Sequence, residues 1–194
     1  MSRVNVPTKR EQRSTLRQRR RDIVGGRSEA ADDAALATEG VALVAALGVA
    51  TGDTVTLYES FAGEPPTTAL AAALLARGIR VIVPITEADL DLDWRLLGDP
   101  DGPPLGKDAI ADAGVVLAPG LAVDRGGTRM GQGGGCYDKA LPRRSPGVPV
   151  VVLLHPGELG DDPLPREDHD VPVDGVLTAA GVTWLHRDRR SADR

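Results

Sequence analysis

Val148-Pro149-Val150-Val151-Val152-Leu153-Leu154 is the most apolar of several short runs in the sequence that are typical of buried β-strands. Further runs of this kind lie at residues 55–58, 80–84, 114–119 and 173–177, and a weaker one lies at 90–97. Because these runs alternate with helical segments, they predict a mainly parallel, Rossmann-like sheet in a three-layer α/β/α fold. Ligands of such sheets bind beyond the carboxyl ends of the strands. The residues expected at those ends are Pro84, Pro119, His155 and Thr178.

The helices between these strands are indicated by capping residues and by apolar residues at helical spacing. Thr8 and Glu11 form a capping-box pattern for an N-terminal helix that runs to about residue 24, where Gly25-Gly26 ends it. A second helix is predicted from Ser28, and shorter ones are predicted at residues 68–77 and 136–141. The apolar face of the second helix is expected to consist of Ala31, Ala35, Val41, Leu43, Val44 and Leu47.

The composition is typical of a globular protein, and we expect one domain over residues 1–194 with a frayed, charged tail at about 187–194. No apolar run approaches the roughly 20 residues that a membrane span requires. The N-terminus also lacks the apolar core of a signal peptide. The single cysteine, Cys136, excludes an internal disulfide and fits a reducing compartment. We expect a cytoplasmic monomer that has no membrane partner.

The charge of the chain is unevenly distributed. The net charge is −5, yet residues 3–27 carry nine basic side chains against two acidic ones. A basic segment on an acidic body indicates a local anion site or a contact with nucleic acid. An RNA contact through residues 17–21 is the less favoured alternative, because no aromatic residues interleave with the charges for base stacking. For Arg10, Arg17, Arg19 and Arg20 we expect a solvated helix face.

The strongest candidate for a ligand site is the glycine-rich segment at residues 129–139. Gly131, Gly133, Gly134 and Gly135 allow the backbone to approach a ligand closely, and successive N–H groups before a helix form an anion-binding nest. The segment is not a Walker A loop, because Ala140 follows Lys139 where that motif has Ser or Thr. A purely structural glycine turn is the alternative interpretation.

The residues that flank the glycines strengthen the functional interpretation. Arg129 can neutralise phosphate charge, Asp138 can hold Mg²⁺, and Tyr137 offers a flat face to a heterocycle. The structural alternatives are an acidic residue favoured in a first helical turn for Asp138 and a core position for Tyr137. The clustering of all three residues beside the glycines favours a nucleotide phosphate site.

Two adjacent segments together resemble the signature of a known enzyme family. Residues 119–124 (PGLAVD) and 127–141 (GTRMGQGGGCYDKAL) are similar to the signature of the 5-formyltetrahydrofolate cyclo-ligases, or 5,10-methenyltetrahydrofolate synthetases. Three further segments match the family pattern more briefly. They are Lys9, Arg13 and Arg21 in the N-terminal helix, Glu64 with Thr67 after the first strand, and residues 169–174, which include His169, Asp170 and Asp174.

The resemblance implies a fold, a reaction and a set of site residues. The fold would be that of the sugar-phosphate isomerases and CoA transferases, preceded by N-terminal helices. The reaction would convert 5-formyltetrahydrofolate and ATP to 5,10-methenyltetrahydrofolate, ADP and phosphate through a phosphorylated formyl group, with Mg²⁺ as cofactor. The partners are therefore ATP and a reduced folate, and nucleic acid is not expected.

The same resemblance assigns roles to residues of this sequence. The catalytic group would comprise Lys9, Arg129 and Asp138, and Mg²⁺ would be held by Asp138 and Asp170. The folate would contact Glu64, Thr67, Cys136 and Tyr137. ATP would be bound by Lys9, Arg13, Arg129, Gly131, Gln132, Gly133, Gly134, Gly135, Cys136, Tyr137 and Asp138.

The sequence departs from the family pattern at three places. Cys136 replaces the first Tyr of a Tyr-Tyr pair, Met130 replaces a Leu, and residues 98–107 lack the aromatic residue that many members carry. A nucleotide-binding paralogue with altered or lost folate chemistry is therefore an open alternative. A different enzyme on the same type of sheet would explain the strands but not the three matching segments. Cys136 is not expected to be a nucleophile, because no sequence signature pairs it with a base.

Overall fold

The computed structural model describes residues 8–167 and 170–185 of the chain. The helices are α1 (Lys9–Gly25), α2 (Glu29–Ala46), α3 (Thr68–Leu75) and α4 (Cys136–Ala140), with 3-10 turns at Lys107–Asp112 and Leu141–Arg143. The strands are β1 (Thr54–Thr56), β2 (Arg80–Thr86), β3 (Leu92–Leu96), β4 (Ala113–Pro119), β5 (Ala122–Asp124), β6 (Arg129–Met130), β7 (Val150–Leu153), β8 (Leu159–Gly160), β9 (Gly175–Thr178) and β10 (Gly181–Trp184). The tail predicted at 187–194, and His169, lie outside the described residues.

The main sheet has seven strands in the order β10-β9-β7-β4-β1-β2-β3. Strands β1, β2, β4, β7 and β9 are parallel, whereas β3 and β10 pair antiparallel at the two edges. The predicted mainly parallel sheet is therefore confirmed. The chain moves from β1 to β2 on one side and then returns to place β4 on the other side of β1. This reversal of strand order creates a crevice at the carboxyl ends of β1 and β4, where ligands of such sheets bind.

Both faces of the sheet are covered, because successive side chains of a strand point to opposite sides. On one face, Val55, Leu117 and Leu153 pack with the buried side of α2 and α3. On the other face, Val116 and Val152 pack with α4 and the 3-10 turns. Trp94 is fully buried in β3 on this second face, in agreement with its predicted strand position. These two apolar layers account for the three-layer arrangement.

The predicted starts of the two N-terminal helices are confirmed. The Thr8 hydroxyl accepts a hydrogen bond from the Glu11 backbone N–H, and the Glu11 carboxylate accepts one from the Thr8 N–H at 2.8 Å. The Ser28 hydroxyl accepts a bond from the Ala31 N–H at 3.4 Å and caps α2. No described helix is both long enough and apolar enough to cross a membrane.

Three details of the sequence prediction were wrong. Ala31 is exposed, and the buried face of α2 instead includes Asp32, Leu36 and Gly40. Pro84 lies inside β2 rather than at its end. The region after β4, predicted as a loop, contains β5 and β6, which form a second sheet in the order β6-β5-β8. These strands have only two or three residues each, which is too short for any periodic pattern to be detected.

Gly127 joins this second sheet to the segment before β9, and its geometry gives a test of the fold. Its φ is +83°, and a Cβ at this position would lie 2.7 Å from the Val173 carbonyl oxygen. Replacement of Gly127 by Ala should therefore lower the free energy of unfolding by more than the positive φ alone costs, which is about 1–3 kcal/mol. Chemical denaturation measures the change. Gly147→Ala is the matched control, because φ is +82° there and no atom lies within 4 Å of the added Cβ. Equal losses in both variants would contradict the clash.

Candidate nucleotide and substrate site

A cavity of about 350 Å³ lies at this crevice. Its walls are the end of β4 (Pro119 and Gly120), the glycine segment at residues 131–135, the start of α4, and one face of α1. The charged groups are contributed by Lys9, Arg13, Arg129, Asp138, Glu167 and Asp170. The structure thus brings together most of the residues that the sequence nominated as a site.

The glycine segment has a conformation that only glycine adopts easily at two positions. Gly133 has φ +116° and Gly135 has φ +70°, so both lie on the left-handed side of the φ axis. A Cβ on Gly133 would also lie 3.6 Å from the Arg13 guanidinium. Gly135 immediately precedes α4, and the segment therefore turns directly into a helix N-terminus.

Helix α1 contacts the glycine segment through basic side chains at helical spacing. Lys9, Arg13 and Arg17 are four residues apart and share one face of the helix. Lys9 and Arg13 line the cavity. Arg17 donates hydrogen bonds to the Gln132 carbonyl oxygen at 2.7 Å and to the Gln132 side-chain oxygen at 3.2 Å. The expectation that Arg17 belongs to a purely solvated face was therefore wrong, although its side chain is exposed.

Arg20 was also expected to be solvated, and this prediction was wrong. Its side chain is 7% exposed and donates to both carboxylate oxygens of Glu158, at 2.6 and 2.7 Å. The same guanidinium donates to the Gly120 carbonyl oxygen at 2.6 Å. Arg21, which the family resemblance nominated, is instead exposed and hydrogen-bonded to Gln18. Helical geometry could have indicated that Arg20 faces the site. Arg20 lies eleven positions after Lys9, which is about three turns along the same face of the helix.

Arg129 connects the glycine segment to α4. It donates to Asp138 Oδ1 at 2.6 Å and lies over the Tyr137 ring, with 5.5 Å between the guanidinium carbon and the ring centroid. Burial raises the pKa of Tyr137 well above its usual range, and the nearby Arg129 opposes this only in part. The Tyr137 hydroxyl therefore keeps its proton at neutral pH. Tyr137 is at once a core residue, as its alternative interpretation proposed, and part of the cavity wall.

Three buried polar atoms of the cavity-lining residues have no hydrogen-bond partner among the described residues. They are Nε of Arg13, Nε of Arg129 and the hydroxyl group of Tyr137. A buried polar group without a partner costs about 1–3 kcal/mol, so folded proteins rarely keep one unless a ligand or water satisfies it. Three such atoms around one cavity indicate a polar, anionic ligand.

The acidic side of the cavity contains Asp170, Glu167 and Asp138. Lys9 lies 3.1 Å from an Asp170 oxygen and 2.9 Å from a Glu167 oxygen. Burial alone would lower the pKa of Lys9, but these two carboxylates outweigh that effect and raise it. In the described part of the chain, no three His, Cys, Asp or Glu side chains are grouped so that they could hold a metal ion.

Glu64 and Thr67 do not line this cavity. They follow β1 in a loop at the same crevice, and the Glu64 carboxylate accepts a hydrogen bond from the Phe61 N–H at 3.1 Å. The Thr67 hydroxyl is buried and donates to the Tyr58 carbonyl oxygen at 2.7 Å. The structure gives Thr67 a role in shaping the loop, and the predicted folate contacts of both residues stay predictions.

The fold and the cavity define an α/β protein with a cavity lined by basic and glycine residues where the strand order of a mainly parallel sheet reverses. Comparison with known proteins narrows this class. A model of the 5-formyltetrahydrofolate cyclo-ligase family matches residues 5–179. The chain belongs to the 5-formyltetrahydrofolate cyclo-ligase family.

Individual relatives agree with this assignment. The 5-formyltetrahydrofolate cyclo-ligase of Mycolicibacterium smegmatis is 36% identical over 144 residues, which cover 66% of this chain and 74% of that protein. The 5,10-methenyltetrahydrofolate synthetase structure from Aquifex aeolicus superimposes with a TM-score of 0.69 at 25% identity, with 96% of each chain covered. The corresponding Mycoplasma pneumoniae structure gives 0.72 at 19% identity, covers 89% of this chain and 99% of its own, and supports the fold.

The buried pair between Arg20 and Glu158 gives a test of how α1 is held. Glu158→Ala should lower the free energy of unfolding by about 3–5 kcal/mol, because it leaves the Arg20 charge buried without its partner. Chemical denaturation measures the loss. Asp161→Ala is the control: it breaks an exposed pair with Arg125, whose loss costs no more than about 1 kcal/mol. Similar losses in the two variants would show that the Arg20 pair does not anchor the helix.

Proposed function

We propose that the protein converts 5-formyltetrahydrofolate and ATP to 5,10-methenyltetrahydrofolate, ADP and phosphate. Membership of the cyclo-ligase family supports the folate conversion. The observation that carries the use of ATP is the cavity itself, where Arg13 and Arg129 each keep an unpaired buried Nε beside a glycine-rich backbone. Such a cavity matches the charge and the hydrogen-bonding capacity of a polyphosphate.

The phosphate groups would lie between α1 and the glycine segment. Lys9, Arg13 and Arg129 supply positive charge from three directions, and the N–H groups of residues 131–135 offer hydrogen-bond donors. Arg17 holds the segment from outside through Gln132. Phosphoryl transfer depends mainly on positioning and charge neutralisation, so this arrangement suits a reaction that needs no protein nucleophile.

The residues present also fit a magnesium ion that is bound mainly by the nucleotide. Asp138 and Asp170 line the same cavity, and the described residues offer no denser ligand cluster. Mg²⁺ is usually held by one or two carboxylates together with phosphate oxygens and water. Bound there with the nucleotide, the ion would neutralise phosphate charge.

In the proposed reaction, the formyl oxygen of the folate attacks the γ-phosphorus of ATP and ADP leaves. N10 of the folate then attacks the activated formyl carbon and gives up its proton, and the phosphate departs with the former formyl oxygen and can take that proton. Arg129 and Lys9 stabilise the negative charge that moves between these oxygens. The neutral Tyr137 hydroxyl can donate a hydrogen bond, and Glu64 can accept one from the pterin ring.

Cys136 concerns the folate side of the site, because it stands where the family pattern has an aromatic residue. Its thiol lines the cavity beside Tyr137. A smaller side chain leaves more room and removes one ring contact. This is the observation that favours the second candidate function, a nucleotide-binding paralogue with altered or lost folate chemistry.

The first test of the proposal follows methenyl formation by its near-UV absorbance together with ADP release. Asp138→Asn should lower kcat by about 100-fold to 1,000-fold, because it removes the carboxylate that would hold Mg²⁺ and that pairs with Arg129. Asp161→Asn, an exposed change outside the cavity, is the control and should match the wild type. Undiminished turnover in Asp138→Asn would show that the Asp138 carboxylate is not needed for the reaction. ATP binding without methenyl formation by the wild type would favour the paralogue.

The second test measures ATP affinity by calorimetry at a fixed salt concentration. Arg13→Ala should weaken binding about 10-fold to 100-fold, because it removes a charged donor whose hydrogen bonds contribute about 1.5–3 kcal/mol. Arg10→Ala is the matched control, since Arg10 lies on the same helix, is exposed and does not line the cavity. Equal weakening by both variants would indicate a diffuse charge effect instead of a phosphate site.

A further inference from the structure

His155 is a buried histidine that the proposed reaction does not use. It follows β7 by two residues and is 4% exposed. Its Nε2 atom lies 3.2 Å from the carbonyl oxygen of Gly63, which is distant in the sequence. A carbonyl oxygen only accepts hydrogen bonds, so the hydrogen is assigned to Nε2 and the ring donates to Gly63. The acceptor is the residue directly before Glu64.

The backbone of His155 contacts the residue that anchors helix α1. Its N–H donates to Glu158 Oε2 at 2.8 Å, and Glu158 is the carboxylate that pairs with Arg20 of α1. One residue therefore contacts both the loop that carries Glu64 and the anchor of the helix that carries Lys9 and Arg13.

The remaining ring nitrogen lies near a carboxylate but beyond hydrogen-bond distance from it. His155 Nδ1 lies 3.8 Å from Oδ2 of Asp32, in the first turn of α2. Arg27 donates to both Asp32 oxygens, at 2.7 and 2.6 Å, and these bonds lower the pKa of Asp32 despite its burial. Asp32 is therefore held as a carboxylate by Arg27, and the ring's hydrogen bond is the one to Gly63.

The loop at residues 59–66 contacts the rest of the fold through an ion pair between Glu59 and Arg95 of β3 and through the bond from His155 to Gly63. Within the loop, Glu64 bonds to Phe61, and the Tyr58 hydroxyl donates to the Pro65 carbonyl oxygen at 3.0 Å. These bonds are local, and Phe61 at the loop tip is 81% exposed. The bond from His155 ties Gly63, the residue before Glu64, to the end of β7. The bond from Tyr58 ties Pro65, the residue after Glu64, to the end of β1.

We propose that His155 is a positioning residue that sets Glu64 in place opposite the nucleotide-binding helix α1. This inference rests on the proposed function, because it assumes that Glu64 faces the folate. His155 itself touches neither substrate. Its effect should therefore fall on folate binding and leave ATP binding unchanged.

The test compares two isosteric replacements. In His155→Gln the side-chain amide can place an N–H near the position of Nε2, whereas in His155→Asn the shorter amide matches Nδ1 and cannot reach Gly63. His155→Asn should raise KM for 5-formyltetrahydrofolate about threefold to tenfold, as expected for the loss of one neutral hydrogen bond. KM for ATP should not change, and His155→Gln should restore most of the folate KM.

Hydrogen exchange of the ligand-free protein provides a readout that needs no turnover. Backbone amides of residues 59–64 should exchange faster in His155→Asn than in the wild type, and His155→Gln should return them towards the wild-type rate. Unchanged exchange, equal rises in both KM values, or a Gln variant as impaired as the Asn variant would overturn the proposal. An Asn variant that does not fold would assign His155 to stability alone. A wild type that forms no methenyl product would refute the proposed function, while the exchange data would still decide whether His155 holds the loop.

Discussion

The ion pair between Arg20 and Glu158 is the interaction on which the arrangement of the site depends. Helix α1 is strongly polar, and Arg20 is its one buried residue. Apolar packing therefore contributes little to its position, and the charged pair takes over that role. The same guanidinium bonds to Gly120 directly after β4, which fixes α1 at the end of the sheet where the strand order reverses. Arg13 and Arg17 then reach the glycine segment, and Lys9 reaches the cavity beside it, as a consequence of helical spacing.

Much of the fold could be predicted from the sequence, because buried parallel strands consist of continuous apolar runs. The runs at residues 114–119 and 148–154 became β4 and β7 in the middle of the sheet. The second sheet could not be predicted, since β6 and β8 have two residues each and depend on tertiary contacts. The glycine segment could be proposed as a ligand site because its glycines and the flanking Arg129 and Asp138 are adjacent in the sequence.

The burial of Arg20 could not be predicted in the same way. A basic residue in a run of basic residues is usually exposed. The partner of Arg20, Glu158, is 138 positions away in the sequence. The resemblance to the cyclo-ligase pattern pointed to the neighbouring Arg21, which faces away from the site. Only the helical phase relative to Lys9 distinguishes the two, because a shift of one residue turns a side chain by about 100° around the helix axis.

The charges of the cavity are balanced in a way that fits the proposed ligands. Lys9 is paired with Asp170 and Glu167, and Arg129 is paired with Asp138. Cations clustered without carboxylates would repel one another in the folded protein, and so would carboxylates clustered without cations. Placing the two sets together reduces both repulsions. A ligand with only negative charge would compete with the carboxylates for these cations. A phosphate that arrives with a divalent cation offers a partner to both sets at once, so the exchange of partners leaves no charge unpaired.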